Sequence, residues 1–168
     1  VFARINYSYD NKYLIELNGR YDGSSKFPTN QQWGFFPSVS AAWRVSGERW
    51  WNVNPNILSS LKIRGSWGEL GNANVGVYSF IETFNIDNLS YVIDGVSKPR
   101  ITSIPSQIPD GLTWETSRTI DGGIDVGFYN GKINLTADYY VRNTLDMYTV
   151  GPKQTDTYGA SAPKGNYA

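Results

Sequence analysis

The sequence predicts an all-β chain: an antiparallel segment of a transmembrane β-barrel, with about six membrane strands. Three observations carry this. Polarity alternates with a period of two along most of the chain, the signature of strands with one apolar and one polar face. Charges on those strands collect on the polar face, and aromatic residues gather at both strand ends around bands of Ile, Leu, Val and Ala. Connections alternate between short and long, as they do when tight turns lie on one side of a membrane and elaborate loops on the other.

Residues 2–10 place Ala3, Ile5, Tyr7 and Tyr9 on one face and Arg4, Asn6, Ser8 and Asp10 on the other. After the short turn Asp10-Asn11-Lys12, residues 13–21 set Tyr13, Ile15, Leu17, Gly19 and Tyr21 against Glu16, Asn18 and Arg20, completing a hairpin. The polar run DGSSKFPTNQ leads into a third strand, about 33–45, with Trp33, Phe35, Val39, Ala41, Trp43 and Val45 on the apolar face. Phe36 falls on the opposite face, and Pro37, which lacks a ladder donor, predicts a bulge beside it. Residues 46–60 are a connector, and 61–69 alternate again as Leu61, Ile63 and Trp67 against Lys62, Arg64 and Ser66.

Residues 70–115 break the pattern. They are rich in Gly, Pro, Asn and Ser and read as one long extracellular loop region, with strand-like pieces near 77–84 and 90–94 that could pair. Alternation resumes at 117–129, turns at Asn130-Gly131 and continues through 132–142; the tail from about 150 reads as loop.

The polar face is expected to line a lumen, with Arg4, Glu16, Arg20, Arg44, Arg64, Asp121, Asp125, Asp138 and Arg142 on it. Only Glu69, at a strand end, falls among apolar neighbours. Asp121 and Asp125 are two carboxylates on one face, the pattern of glycan acid–base chemistry, but so many arginines on the same face make cross-strand ion pairing the simpler reading. The excursion offers Asn72, Asn74, Tyr78, Phe80, Tyr91, Arg100 and Trp114 as a candidate substrate- or lipoprotein-contact surface, since loops on a rigid scaffold carry binding.

Composition narrows the classes. With 15 basic and 15 acidic residues the net charge is zero, so there is no basic footprint for nucleic acid. There is no cysteine and no histidine, which removes disulfides and the commonest metal ligands and bases. Glycines 68, 71 and 76 lack the Gly-Lys-Ser/Thr of a phosphate loop, and no cofactor is expected. The chain opens VFARINYSYD, already in strand pattern, and reads as a mature or internal piece of something longer without a signal peptide. On residues alone a soluble β-sandwich stays open beside the barrel.

RYDGSSKF (20–27), WGFFPSVSAAWRVSGERW (33–50) and LKIRGSWGELGNANVG (61–76) closely resemble the barrel of the SusC/RagA family of TonB-linked outer-membrane transporters of Bacteroidetes, and LTWE…DVGFYNGKINLTADYYVRNT (113–142) is similar to its later hairpin. The resemblance implies a 22-stranded barrel holding a plug, a SusD-like lipoprotein lid, energy from the TonB complex, and oligosaccharide or oligopeptide import. This chain would supply one arc of the wall, beside lipid on one face and the remaining barrel strands at its edges, with neither plug nor TonB box among its residues. A passive porin and a soluble glycan-binding or adhesin module are the competing functions.

Overall fold

The computed structural model describes residues 1–84, 86–88, 91–92, 95–96, 99–102, 108, 111–155, 157 and 162–167. Six long strands form one antiparallel sheet: β1 (Phe2–Tyr9), β2 (Tyr13–Gly23), β3 (Trp33–Arg44), β4 (Ser60–Asn72), β7 (Glu115–Phe128) and β8 (Ile133–Leu145), in the order β1-β2-β3-β4-β7-β8. Two small ladders complete the described strands. β5 (Ile86–Asn88) pairs with β6 (Arg100–Thr102), and β9 (Tyr148–Val150) pairs with β10 (Lys164–Asn166).

The register carries the alternation across the sheet. Ile5 opposes Leu17, which opposes Val39, while Asn6 opposes Glu16, then Ser40, then Ser66. Every long strand therefore contributes one apolar and one polar row. β2, β3, β4, β7 and β8 have 11 to 14 residues. At about 3.3 Å per residue each exceeds the apolar band a tilted strand must cross, roughly 25 Å.

The sheet is a single layer. Ile5, Ile15, Leu17, Val39, Ile63, Ile120 and Leu135 are all exposed, and among its described residues only Phe36 and the flanking Val45 are buried hydrophobics. A sandwich would cover these rows with a second sheet. A contiguous apolar face this large suits a non-aqueous neighbour.

The chain divides into two compact units: the sheet (1–23, 33–72 and 116–145) and a loop unit (24–32, 73–115 and 146–168). The loop unit has its own core of Phe27, Val75 and Leu112, with Ala73, Phe80, Trp114 and Tyr148 packed on it.

Several local expectations change. The β2–β3 register runs unbroken through Gly19↔Pro37 and Arg20↔Phe36, so β3 has no bulge at Pro37. The irregularity lies in β4. Its pairing with β3 is regular up to Ser38↔Gly68, yet the Phe36 ring lies where a side chain on Gly71 would point. Strict alternation would turn Gly71 away from Phe36, so β4 changes face between Gly68 and Gly71, as a bulge does.

The turn after β7 begins one residue earlier than Asn130-Gly131. Tyr129, Asn130 and Gly131 all have positive φ, and Lys132 is in the turn, so β8 starts at Ile133. The expected strand pieces at 77–84 are turn and coil, and the small hairpin uses 86–88 and 100–102 instead; of the piece at 90–94, residues 90, 93 and 94 lie outside the described residues. The tail is not all loop, because β9 and β10 pair there.

Candidate functional site

The polar face of the sheet is a charge network spread over five strands. In the β1–β2 hairpin, Arg4 Nε donates to Asn18 Oδ1 at 2.7 Å, and Asn18 Nδ2 to Glu16 Oε1 at 2.8 Å. Arg20 pairs with Asp22 at 2.7 Å, two residues along the same face. On the other side, Arg64 of β4 reaches across β7 to β8, where Nη2 meets both carboxylate oxygens of Asp138 at 2.6 and 2.8 Å. Its Nε faces Asp125 at 3.6 Å, and Lys62 stands 3.9 Å from the same carboxylate.

Gly123 makes this crossing possible. It opposes Asp138 in the ladder, and any Cβ there would run into Asp138 Oδ1 and the Arg64 side chain. A glycine in mid-strand thus marks a close approach of other groups rather than a weak strand.

Of the remaining lumenal candidates, Arg142 donates to Thr119 Oγ1 at 3.4 Å and lies 5.9 Å from the centre of the Tyr140 ring. Arg44 opposes Lys62 in the β3–β4 register, and its backbone N–H donates to Lys12 O. Asp121 opposes Tyr140, and its carboxylate makes no ion pair or hydrogen bond among the described residues. It lines a concavity of about 500 Å³ with Glu16, Ser40, Lys62 and Arg64.

Sequence reasoning missed one charge. Arg118, opposite Asn143 and in step with Ile120, was not counted with Glu69 among apolar neighbours; the two pair at 2.7 Å. The even spacing Arg118–Ile120 was the signal that could have found it.

The aromatic run at 33–36 covers glycines. The Trp33 ring lies 2.9 Å from where a Cβ on Gly23 would be, Phe35 lies 3.2 Å from the same point on Gly19, and Phe36 covers Gly71. Large rings laid over strand glycines restore the packing those residues lack. Trp33 also stacks on Tyr21 at 5.0 Å and 7°. At the opposite end Tyr9, Tyr13 and Trp43 form a row, 6.4 and 6.5 Å apart, across three strands.

There the connector is organised by Glu48, whose carboxylate accepts Tyr13 Oη at 2.6 Å and Trp43 Nε1 at 3.0 Å. These two donors hold the Glu48 carboxyl below its usual range. Beyond it, residues 55–59 reach the β7–β8 turn: Asn130 N donates to Pro55 O, and Gly131 N to Ser59 Oγ.

In the loop unit, Trp114 stacks obliquely on Phe27 at 5.1 Å and donates through Nε1 to Gln32 O. Phe80 packs on the same core. Tyr78, Tyr91 and Arg100 are exposed, Tyr78 with φ of 61°; Asn72 ends β4 and Asn74 is exposed just after it. The structure therefore divides the seven loop candidates between a packed pair, Phe80 and Trp114, and a surface set.

The family model for the TonB-dependent receptor-like β-barrel matches residues 1–167. The chain belongs to this family. It is 35% identical over 147 residues to the TonB-dependent receptor SusC of Bacteroides thetaiotaomicron, covering 87% of this chain and 15% of that protein. It is 34% identical over 156 residues to the TonB-dependent receptor P26 of Formosa agariphila, covering 92% and 15%. Among solved structures, the RagAB peptide transporter matches with a TM-score of 0.80 at 27% identity, over 98% of this chain and 17% of that one. The chain thus spans about a sixth of the length of the relatives it matches. This SusC/RagA-type piece is an arc of an outer-membrane β-barrel, and the family is one of receptors, not enzymes.

Proposed function

We propose that the chain is part of the wall of an importer for oligomeric nutrients, oligosaccharides or oligopeptides, working with a SusD-like surface lipoprotein and energised by TonB. The observation that carries this reading is the two-sided sheet: exposed apolar rows on one face, and on the other paired charges in two clusters, one on β1–β2 and one across β4, β7 and β8. Its likeness to SusC and to the RagAB peptide transporter supports the same role. In this reading the loop unit, including residues 70–115, is extracellular. Asn72, Asn74, Tyr78, Tyr91 and Arg100 meet the lipoprotein or substrate there, while Phe80 and Trp114 pack on the loop unit's own core.

The test is uptake by the full-length transporter in its host, with and without TonB, and with residues 75–112 removed. Loss of uptake without TonB is expected; undiminished uptake would instead mean a passive pore. Unchanged uptake and lipoprotein association in the deletion would sink the role given to the loop.

A further inference from the structure

We infer that the connector 45–59 is a clip across the tight-turn end of the sheet. It ties the β7–β8 turn to the β1–β2 turn and holds the last hairpin on β4 without help from the loop unit.

The connector is longer than the joint it makes. Arg44 and Lys62 are directly opposite partners in neighbouring antiparallel strands. Such strands usually join through about two to five residues. Here the chain runs on through 45–59 and reaches past β4 to a hairpin that is not its neighbour in sequence.

One end of the connector is fixed on the first hairpin. Arg44 N donates to Lys12 O at 2.7 Å, and the Glu48 carboxylate accepts Tyr13 Oη and Trp43 Nε1. Val45 is buried between them in sequence, and Glu48 N closes a turn onto Val45 O at 3.1 Å.

The other end is fixed on the last hairpin. Asn54 accepts Asn56 N through its side chain and Ile57 N through its carbonyl, folding a compact turn around Pro55. That turn offers Pro55 O to Asn130 N at 3.0 Å and Asn56 Oδ1 to Asn130 Nδ2. Ser59 also bonds twice: its N–H donates to Gly127 O at 2.7 Å, and its hydroxyl accepts Gly131 N at 3.0 Å. Gly127 leaves the space for this, because a Cβ there would meet the hydroxyls of Ser59 and Ser60.

The turn so gripped gains from being held. Tyr129 and Asn130 have φ of 50° and 56°, a region that residues other than glycine disfavour. At the far end of the same two strands the chain leaves β4 and returns to β7 through residues 73–114, which belong to the other unit. A connection of that length sets no register: it can absorb a slip of two residues, which leaves every side chain on its own face. The clip admits one position only, since Ser59 and Asn130 each bond through backbone and side chain together. The wall therefore stays closed between β4 and β7 when the loop unit moves.

The test uses the full-length protein purified in detergent. A protease recognition sequence is inserted between the exposed Glu82 and Thr83, and complete cutting is confirmed on a denaturing gel. The clip is opened by Asn56→Ala, Ser59→Ala and Asn130→Gly together, where glycine keeps the left-handed turn and removes only the side-chain bond. The readout is the rate at which the barrel loses its heat-resistant gel migration at a fixed temperature. Cutting alone should change that rate by less than about twofold. Cutting in the triple variant should raise it about tenfold, the size of two exposed hydrogen bonds. A cut that speeds opening as much with the clip intact overturns the inference, because the excursion would then be holding β4 to β7. So does a cut triple variant as durable as the cut native chain. Should the triple variant fail to fold, Ser59→Ala alone is cut in the same way; a rise of about threefold is expected, and no rise overturns the clip.

Discussion

The sheet and the loop unit bury apolar surface in opposite ways. The sheet exposes its apolar rows and is held by a backbone ladder, with only Phe36 and Val45 as buried hydrophobics among its described residues. The loop unit joins three separate segments around Phe27 and Leu112, which are 0% and 1% exposed. It adds bonds between those segments: Lys26 Nζ donates to Ala73 O, and Asn166 Nδ2 to Thr113 O. The exposed apolar rows suit a lipid solvent on one side, while the open edges at β1 and β8 leave backbone groups for neighbouring strands to pair. The loop unit instead has a core of its own.

The comparison breaks most visibly at Phe27. Phe27→Ala should cost the loop unit about 3–5 kcal/mol, the usual price of truncating a fully buried phenylalanine. In the full-length protein, limited proteolysis should then cut within residues 24–32 and 73–115 while the barrel keeps its heat-resistant migration on gels. Concerted loss of both would mean that the two units are not separately stabilised.

A charge on the apolar face is the converse test. Leu17 lies mid-strand between Ile5 and Val39, so Leu17→Arg should cost about 2–4 kcal/mol if that face meets hydrocarbon. Thr136→Arg, beside Asp125 on the polar face, should cost far less, since the new cation finds a partner. Folding titrations into lipid vesicles compare the two. Equal costs would undo the assignment of faces.

The unequal legibility of the two units follows from the range of their contacts. The hairpins at 2–23 and 115–145 were readable because a strand's faces are set by residues two apart and its partner by the adjacent turn. The loop unit was not, because Lys26 and Ala73 are 47 positions apart, and Thr113 and Asn166 are 53. Polar-face membership of Arg64 and Asp138 could be read, but their bond could not. It depends on β4 lying beside β7 despite the long excursion, and on Gly123 leaving room between them. Gly123→Val should displace Arg64 and cost about 1–3 kcal/mol by overpacking. In the same vesicle titration, Gly122→Val, where nothing lies near a Cβ, should be closer to neutral.

The smallest effect sharpens the comparison at the tight-turn end, where the sheet depends on polar bonds instead of a core. Glu48 is half-buried and its carboxyl is held below the ordinary range, first by the Tyr13 hydroxyl and then by the Trp43 indole. Because the folded-state value lies below the unfolded one, its contribution is complete above the unfolded carboxylate range. It is lost as pH falls through the folded value. Asp10, lowered by its bond to Lys12, changes in the same direction over the same acid region. Lys12, raised by Asp10, contributes fully below its unfolded value and loses that contribution only in strong alkali. Between these limits the end of the sheet should be insensitive to pH. Glu48→Gln, which removes the charge but keeps an acceptor, should therefore lower the melting temperature slightly at neutral pH and flatten its fall on acidification. Thermal melts of both proteins across the acid range measure this. An acid limb of the same steepness in the variant would show that the Tyr13–Glu48–Trp43 bonds contribute nothing through the carboxylate charge.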